Sequence, residues 1–124
     1  MKILVVDDEK DVKILFQQRF RKEIKLGELD FVFAFSGEEA LETLKAMAQE
    51  AVLILSDINM PGMSGLQLLE IIKKDFITPP PIVMMVTAYG DEENFNIAKE
   101  LGADDFLTKP VDFKLLKEKL IHNI

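Results

Sequence analysis

Cysteine and tryptophan are both absent from this chain of 124 residues. The first absence excludes a disulfide framework and any thiolate metal site, without fixing the compartment. Basic residues are in deficit. Lys plus Arg number 15 against 22 Asp plus Glu, a formal net charge of −7. No basic stripe of the kind a nucleic-acid module carries is present, and an acidic surface is repelled by an anionic membrane face. Long apolar runs are missing as well. Met1-Lys2-Ile3-Leu4-Val5-Val6 resembles a signal segment only until Asp7-Asp8-Glu9 interrupts it, and no other stretch could span a bilayer. The expectation is a cytoplasmic protein with no membrane and no direct nucleic-acid contact.

Apolar residues make up 48% of the chain, enough for a packed core. The length fits one domain over residues 1–124, with no repeat, linker or low-complexity tract. Short apolar runs alternate with amphipathic stretches. Ile3–Val6, Phe31–Phe35, Val52–Leu55, Ile82–Val86 and Phe106–Leu107 read as strands. The first, third and fourth are apolar throughout, as parallel strands covered on both faces are. Val12, Leu15, Phe16 and Phe20 share one helical face after the first strand. Ser36 with Glu39, and Ser64 with Gln67, are capping boxes that open two further helices. Asp91–Leu101 is helical by spacing but thinly anchored, since only Phe95, Ile97, Ala98 and Leu101 can pack. Asp112 is the expected N-cap of a last helix. Arg21–Lys25 reads as a solvated helix end and loop, and Pro79-Pro80-Pro81 as an extended entry to the fourth strand. Five strands alternating with five helices imply an open, doubly wound α/β sheet.

In such sheets ligands bind beyond the carboxyl ends of the strands. Strand one ends in Asp7-Asp8, strand three in Asp57, strand four in Thr87 and strand five in Lys109. Taken singly, each has a structural reading as helix cap, turn residue, strand former or surface cation. Together they bring three carboxylates to one rim, where like charges raise pKa values unless a cation neutralises them. Hard oxygen donors without Cys or His disfavour zinc and copper, and few carboxylates suit Mg²⁺ better than Ca²⁺. A carboxylate beside a metal and a lysine can act as a nucleophile toward phosphorus.

Leu4-Val5-Val6-Asp7-Asp8-Glu9, Ser56-Asp57 through Ser64-Gly65, Val86-Thr87-Ala88 and Gly102-Ala103-Asp104-Asp105-Phe106-Leu107-Thr108-Lys109-Pro110 together resemble the receiver domain of bacterial two-component response regulators. The resemblance runs from about Lys2 to Leu120. It implies a flavodoxin-like strand order 2-1-3-4-5, with Asp57 as phosphoacceptor. It further implies Mg²⁺ held by Asp8, Asp57 and the Asn59 backbone carbonyl, with Asp7 acting mostly through water. Thr87 and Lys109 would bind phosphoryl oxygens, small Ala88 would leave them room, and Phe106 would be the switch aromatic where many relatives have Tyr. A cis Lys109-Pro110 bond would aim the lysine inward. Asn59 and Tyr89 would tune hydrolysis.

The implied partners are a histidine kinase or histidine phosphotransfer protein as donor. A downstream effector domain or protein would sit at the face of the fourth helix, fifth strand and fifth helix. A phosphorylation-dependent dimer through the fourth and fifth helices is the other output such a face serves. Two alternatives are weaker. A Mg²⁺-dependent phosphohydrolase with an aspartyl-phosphate intermediate calls for Asp-x-Asp on the first strand and a cap domain. A flavin module calls for a Ser/Thr/Gly-rich phosphate loop, where Asp7-Asp8-Glu9 would repel phosphate. His122, in the terminal turn, is read as a last-turn or solvated residue. The chain is expected to be either a stand-alone receiver or a piece of a larger regulator.

Overall fold

Continuous apolar strands need cover on both faces, and the chain supplies it by alternation. The computed structural model describes residues 1–47, 53–75 and 81–122. Val52, Pro79 and Pro80, read above as strand and entry residues, lie outside these. Along the chain come β1 (Lys2–Val6), α1 (Asp11–Arg19), α2 (Arg21–Lys25), β2 (Asp30–Ala34), α3 (Gly37–Met47), β3 (Leu53–Asp57), α4 (Gly65–Asp75), β4 (Ile82–Thr87), α5 (Glu92–Glu100), β5 (Asp105–Thr108) and α6 (Phe113–His122). The strands form one sheet in the order β2-β1-β3-β4-β5, and every pairing is parallel.

Side chains two apart on a strand share a face. Leu4, Val6, Ile54, Val83 and Met85 therefore meet Ala40 and Leu44 of α3, Leu68, Leu69 and Ile72 of α4, and Ala98 of α5. Ile3, Val5, Leu53, Leu55, Met84 and Val86 face Phe16, Phe20, Leu116 and Leu120 on the other side. The Ser64–Gln67 capping box forms in full, and the Ser36–Glu39 one with its return bond shifted by one residue. Glu39 N–H donates to Ser36 Oγ at 3.0 Å, with Glu39 reaching back to Phe35 N–H. Ser64 and Gln67 exchange bonds of 2.9 and 3.2 Å. Asp112 accepts from the Lys114 and Leu115 amides at the start of α6.

The helix count differs from the expected five. The first helical stretch bends at Phe20 (φ −109, ψ 22), so six helices are described. The amide ladder runs through the bend, from Phe20 N–H to Phe16 O and from Ile24 N–H to Phe20 O. The cause is packing. Phe20 stays against Phe31 and Phe113, ring centroids 5.3 and 5.9 Å away. Beyond it Glu23 is buried and bonded to Lys117 of α6 at 2.7 Å. Arg21–Lys25 is thus a short helix rather than an end and loop; it is solvated as expected except at Glu23, whose buried carboxylate meets the exposed Lys117. Thin anchoring of α5 holds more strongly than expected. Ala98 is its buried residue, while Phe95 and Ile97 are 36% and 37% exposed.

Candidate functional site

Register brings the polar strand ends level. Val6 pairs with Ser56, so Asp7 follows β1 beside Asp57, the last residue of β3. Thr87 closes β4 opposite Thr108, which sets Lys109 just past β5. Carboxylate oxygens of Asp7, Asp8 and Asp57 lie within 4.8 Å of one another. Asp57 is buried, Asp7 half-buried and Asp8 exposed.

Both oxygens of the buried carboxylate are engaged. Asp57 Oδ1 accepts from the Ile58 amide at 2.8 Å, and Oδ2 from Lys109 Nζ at 2.8 Å. Burial alone would lower the Lys109 pKa. The bond to Asp57 and the charges of Asp57, Asp7 and Glu9 outweigh it, and the pKa is raised. Lys109 therefore stays a cation at neutral pH. Its own N–H donates to the Thr87 carbonyl at 2.8 Å, and the Lys109–Pro110 bond is cis.

Asp7 tells of unmet charge. Burial pushes its carboxyl up, the Glu9 amide opposes this from 2.9 Å, Asp57 pushes it up again, and the net direction is up. One lysine faces three carboxylates, so the cluster has net negative charge to offer a cation. Hard oxygens, a buried carboxylate and an exposed one open to water fit Mg²⁺.

The remaining expected residues lie on the neighbouring strands β4 and β5 and in the loops after β3 and β4. Thr87 is buried, its hydroxyl directed to the Leu107 carbonyl at 3.4 Å. Ala88 and Asn59 are exposed, and Tyr89 is 89% exposed beyond them. Phe106 is half-buried, with its ring on Phe95.

Three features escaped sequence reasoning. A cavity of about 570 Å³ opens beside Asp57 and Lys109, walled by Val12, Leu15, Phe16, Val111 and Phe113. Gly65 opens α4 so close to β3 that a Cβ there would stand 2.0 Å from the Asp57 carbonyl oxygen. Glu38 of α3 reaches the loop after Asp57, accepting from the Met63 amide at 3.3 Å. In the sequence Gly65 was visible only as the last residue of the motif that begins at Ser56, and Glu38 was not singled out.

Residues 3–121 match the response regulator receiver domain. The chain belongs to that family. It is 35% identical to the chemotaxis protein CheY1 of Helicobacter pylori over 120 residues, covering 97% of this chain and 94% of that one. It is also 34% identical to a cyclic di-GMP phosphodiesterase of Thermotoga maritima, over 98% of this chain but only 30% of the relative's length. Among solved structures, a response regulator receiver domain protein from Clostridium thermocellum superposes with a TM-score of 0.84 at 30% identity, over 99% of this chain and 93% of that one. The receiver is a phosphoacceptor signalling unit of two-component pathways.

Proposed function

We propose that Asp57 accepts the phosphoryl group and that Asp7, Asp8, Asp57 and the Asn59 backbone carbonyl hold Mg²⁺, with Asp7 acting largely through water. The observation that carries this reading is the buried Asp57 carboxylate, fixed by Lys109 and the Ile58 amide beside two further carboxylates. When bound, Mg²⁺ would neutralise charge on the phosphoryl oxygens. The protein's own part is positioning. One Asp57 oxygen attacks the phosphorus of a phosphohistidine on a histidine kinase or phosphotransfer protein. The O–P bond forms as the N–P bond breaks, and the electron pair returns to the imidazole. Lys109 then transfers its bond from the carboxylate to a phosphoryl oxygen, Thr87 takes another, and exposed Ala88 leaves room for both.

The apolar cavity beside Lys109, with Leu15 40% and Ile14 57% exposed on α1, supports approach of the donor from that side. Movement of Thr87 and Lys109 would draw Phe106 inward and alter the face formed by α5, β5 and α6, where an effector or a second phosphorylated copy would dock. This face is the fourth-helix, fifth-strand, fifth-helix surface of the sequence reading, renumbered by the bend at Phe20. Residues 1–124 act as one cytoplasmic receiver that catalyses only its own phosphorylation and dephosphorylation, with Asn59 and Tyr89 setting how long the group lasts.

Incubation with acetyl phosphate and Mg²⁺, followed by intact mass measurement, tests the assignment. The parent should gain one phosphoryl group and Asp57→Ala none. An undiminished gain in Asp57→Ala would overturn it.

A further inference from the structure

The loop from Asn59 to Ser64 carries a proposed metal ligand, yet that ligand is a backbone carbonyl on an exposed residue. Its position is therefore only as good as the loop's own anchoring. The loop's base is tied by the Gly65 amide to the Ile58 carbonyl at 2.7 Å, and Met60 is buried in the core. Its crest is held from elsewhere. Gly62 adopts φ +73, a left-handed turn, and the Glu38 carboxylate lies against it: a Cβ on Gly62 would stand 2.8 Å from Glu38 Oε2. Glu38 Oε1 accepts from the next amide, Met63, at 3.3 Å. The Met63 side chain in turn fills the space over Gly37, where a Cβ would meet it at 2.9 Å. The start of α3 and the crest of the acceptor loop thus interlock through Gly37, Glu38, Gly62 and Met63.

We propose that Glu38 is a positioning residue for the metal site, bracing the loop so that the Asn59 carbonyl is presented to the cation held by the three carboxylates. The proposal rests on the Mg²⁺ reading above. Outer groups that orient ligands commonly govern metal affinity without touching the metal. Glu38 is exposed and belongs to no core cluster, so its replacement is expected to leave the fold in place, which the unfolding curve below checks. Its action runs through an accepted hydrogen bond, which a glutamine oxygen can also supply.

Isothermal titration of Mg²⁺ into the parent, Glu38→Ala and Glu38→Gln, each with a urea unfolding curve, separates the cases. Glu38→Ala should bind Mg²⁺ about tenfold more weakly at an unchanged urea midpoint, and Glu38→Gln should stay close to the parent. Unchanged affinity in Glu38→Ala overturns the proposal. So does equal weakening in both variants, which would assign the effect to charge alone. Absence of Mg²⁺ binding in the parent would instead overturn the underlying metal reading, and this inference with it.

Discussion

Phe106 rests its ring on Phe95 with centroids 4.3 Å apart and planes inclined at 45°. The pair joins the last strand to a helix whose other anchor is the buried Ala98. Phe95→Ala should lower stability by about 1–2 kcal/mol, because the ring it removes is already partly solvated. Phosphoryl uptake at Asp57 should persist. Amide shift changes on phosphorylation across Glu92–Glu100 should shrink, and NMR of the phosphorylated parent and variant checks this. Shift changes of parental size would show that the face responds without the aromatic pair.

Removing the lysine leaves the buried Asp57 carboxylate without its cation. Lys109→Met should cost about 1 kcal/mol, a figure held down by the partial exposure of the ammonium. The double change Asp57→Asn with Lys109→Met should recover most of that loss. The sign with pH follows from the raised Lys109 pKa. Its contribution is complete at neutral pH and is lost only as pH rises through the folded value, above the ordinary lysine value of about 10.4. Urea midpoints at pH 7 and pH 11 for the three proteins measure both effects.

Asp7 changes stability with pH in the same direction as Lys109, but here the charged form is the unfavourable one. Its carboxyl is raised in the folded state, so the unfolded chain ionises first as pH climbs and the ionised group detracts from stability above about pH 4. Asp7→Asn, which keeps an oxygen for the Glu9 amide, should raise the thermal midpoint by about 1–3 °C at pH 7 in chelator. The gap should close toward pH 3. Saturating Mg²⁺ should stabilise the parent more than the variant and reverse their order. An Asp7→Asn protein less stable than the parent in chelator would sink this account.

Tyr89 follows Thr87 by two residues and has its ring in solvent. As a shield it would have to swing over the acyl phosphate and obstruct the in-line approach of water. Tyr89→Ala should then lose its phosphoryl group faster, and a tenfold change needs only about 1.4 kcal/mol of barrier. First-order decay at saturating Mg²⁺ is the measurement. Equal or slower decay in the variant would leave lifetime to Asn59 and the metal.

The architecture was legible where one physical signal dominated. Unbroken apolar runs at Ile3–Val6 and Ile82–Val86 announced parallel strands, and Ser36, Ser64 and Asp112 announced helix starts because capping is local chemistry. Strand order was not legible from pattern and came with the resemblance. The bend at Phe20 was missed because its cause is distant: the rings of Phe31 and Phe113 and the ammonium of Lys117 lie far along the chain. By contrast, the strand ends advertised Asp7, Asp57, Thr87 and Lys109, because a polar residue closing an apolar strand is a local signal. Glu38, a routine first-turn acid by sequence, acquired a role only when α3 was seen against the loop at Gly62.

The absent side chain at Gly65 has a mechanical consequence. With the first residue of α4 seated on the Asp57 carbonyl, and its amide bonded to the Ile58 carbonyl at 2.7 Å, strand end and helix start move as one lever. A partner that tilts α4 would therefore transmit that tilt to Asp57 with little slack. A bulkier residue at this position would uncouple the two arms even if every charged group of the rim were kept.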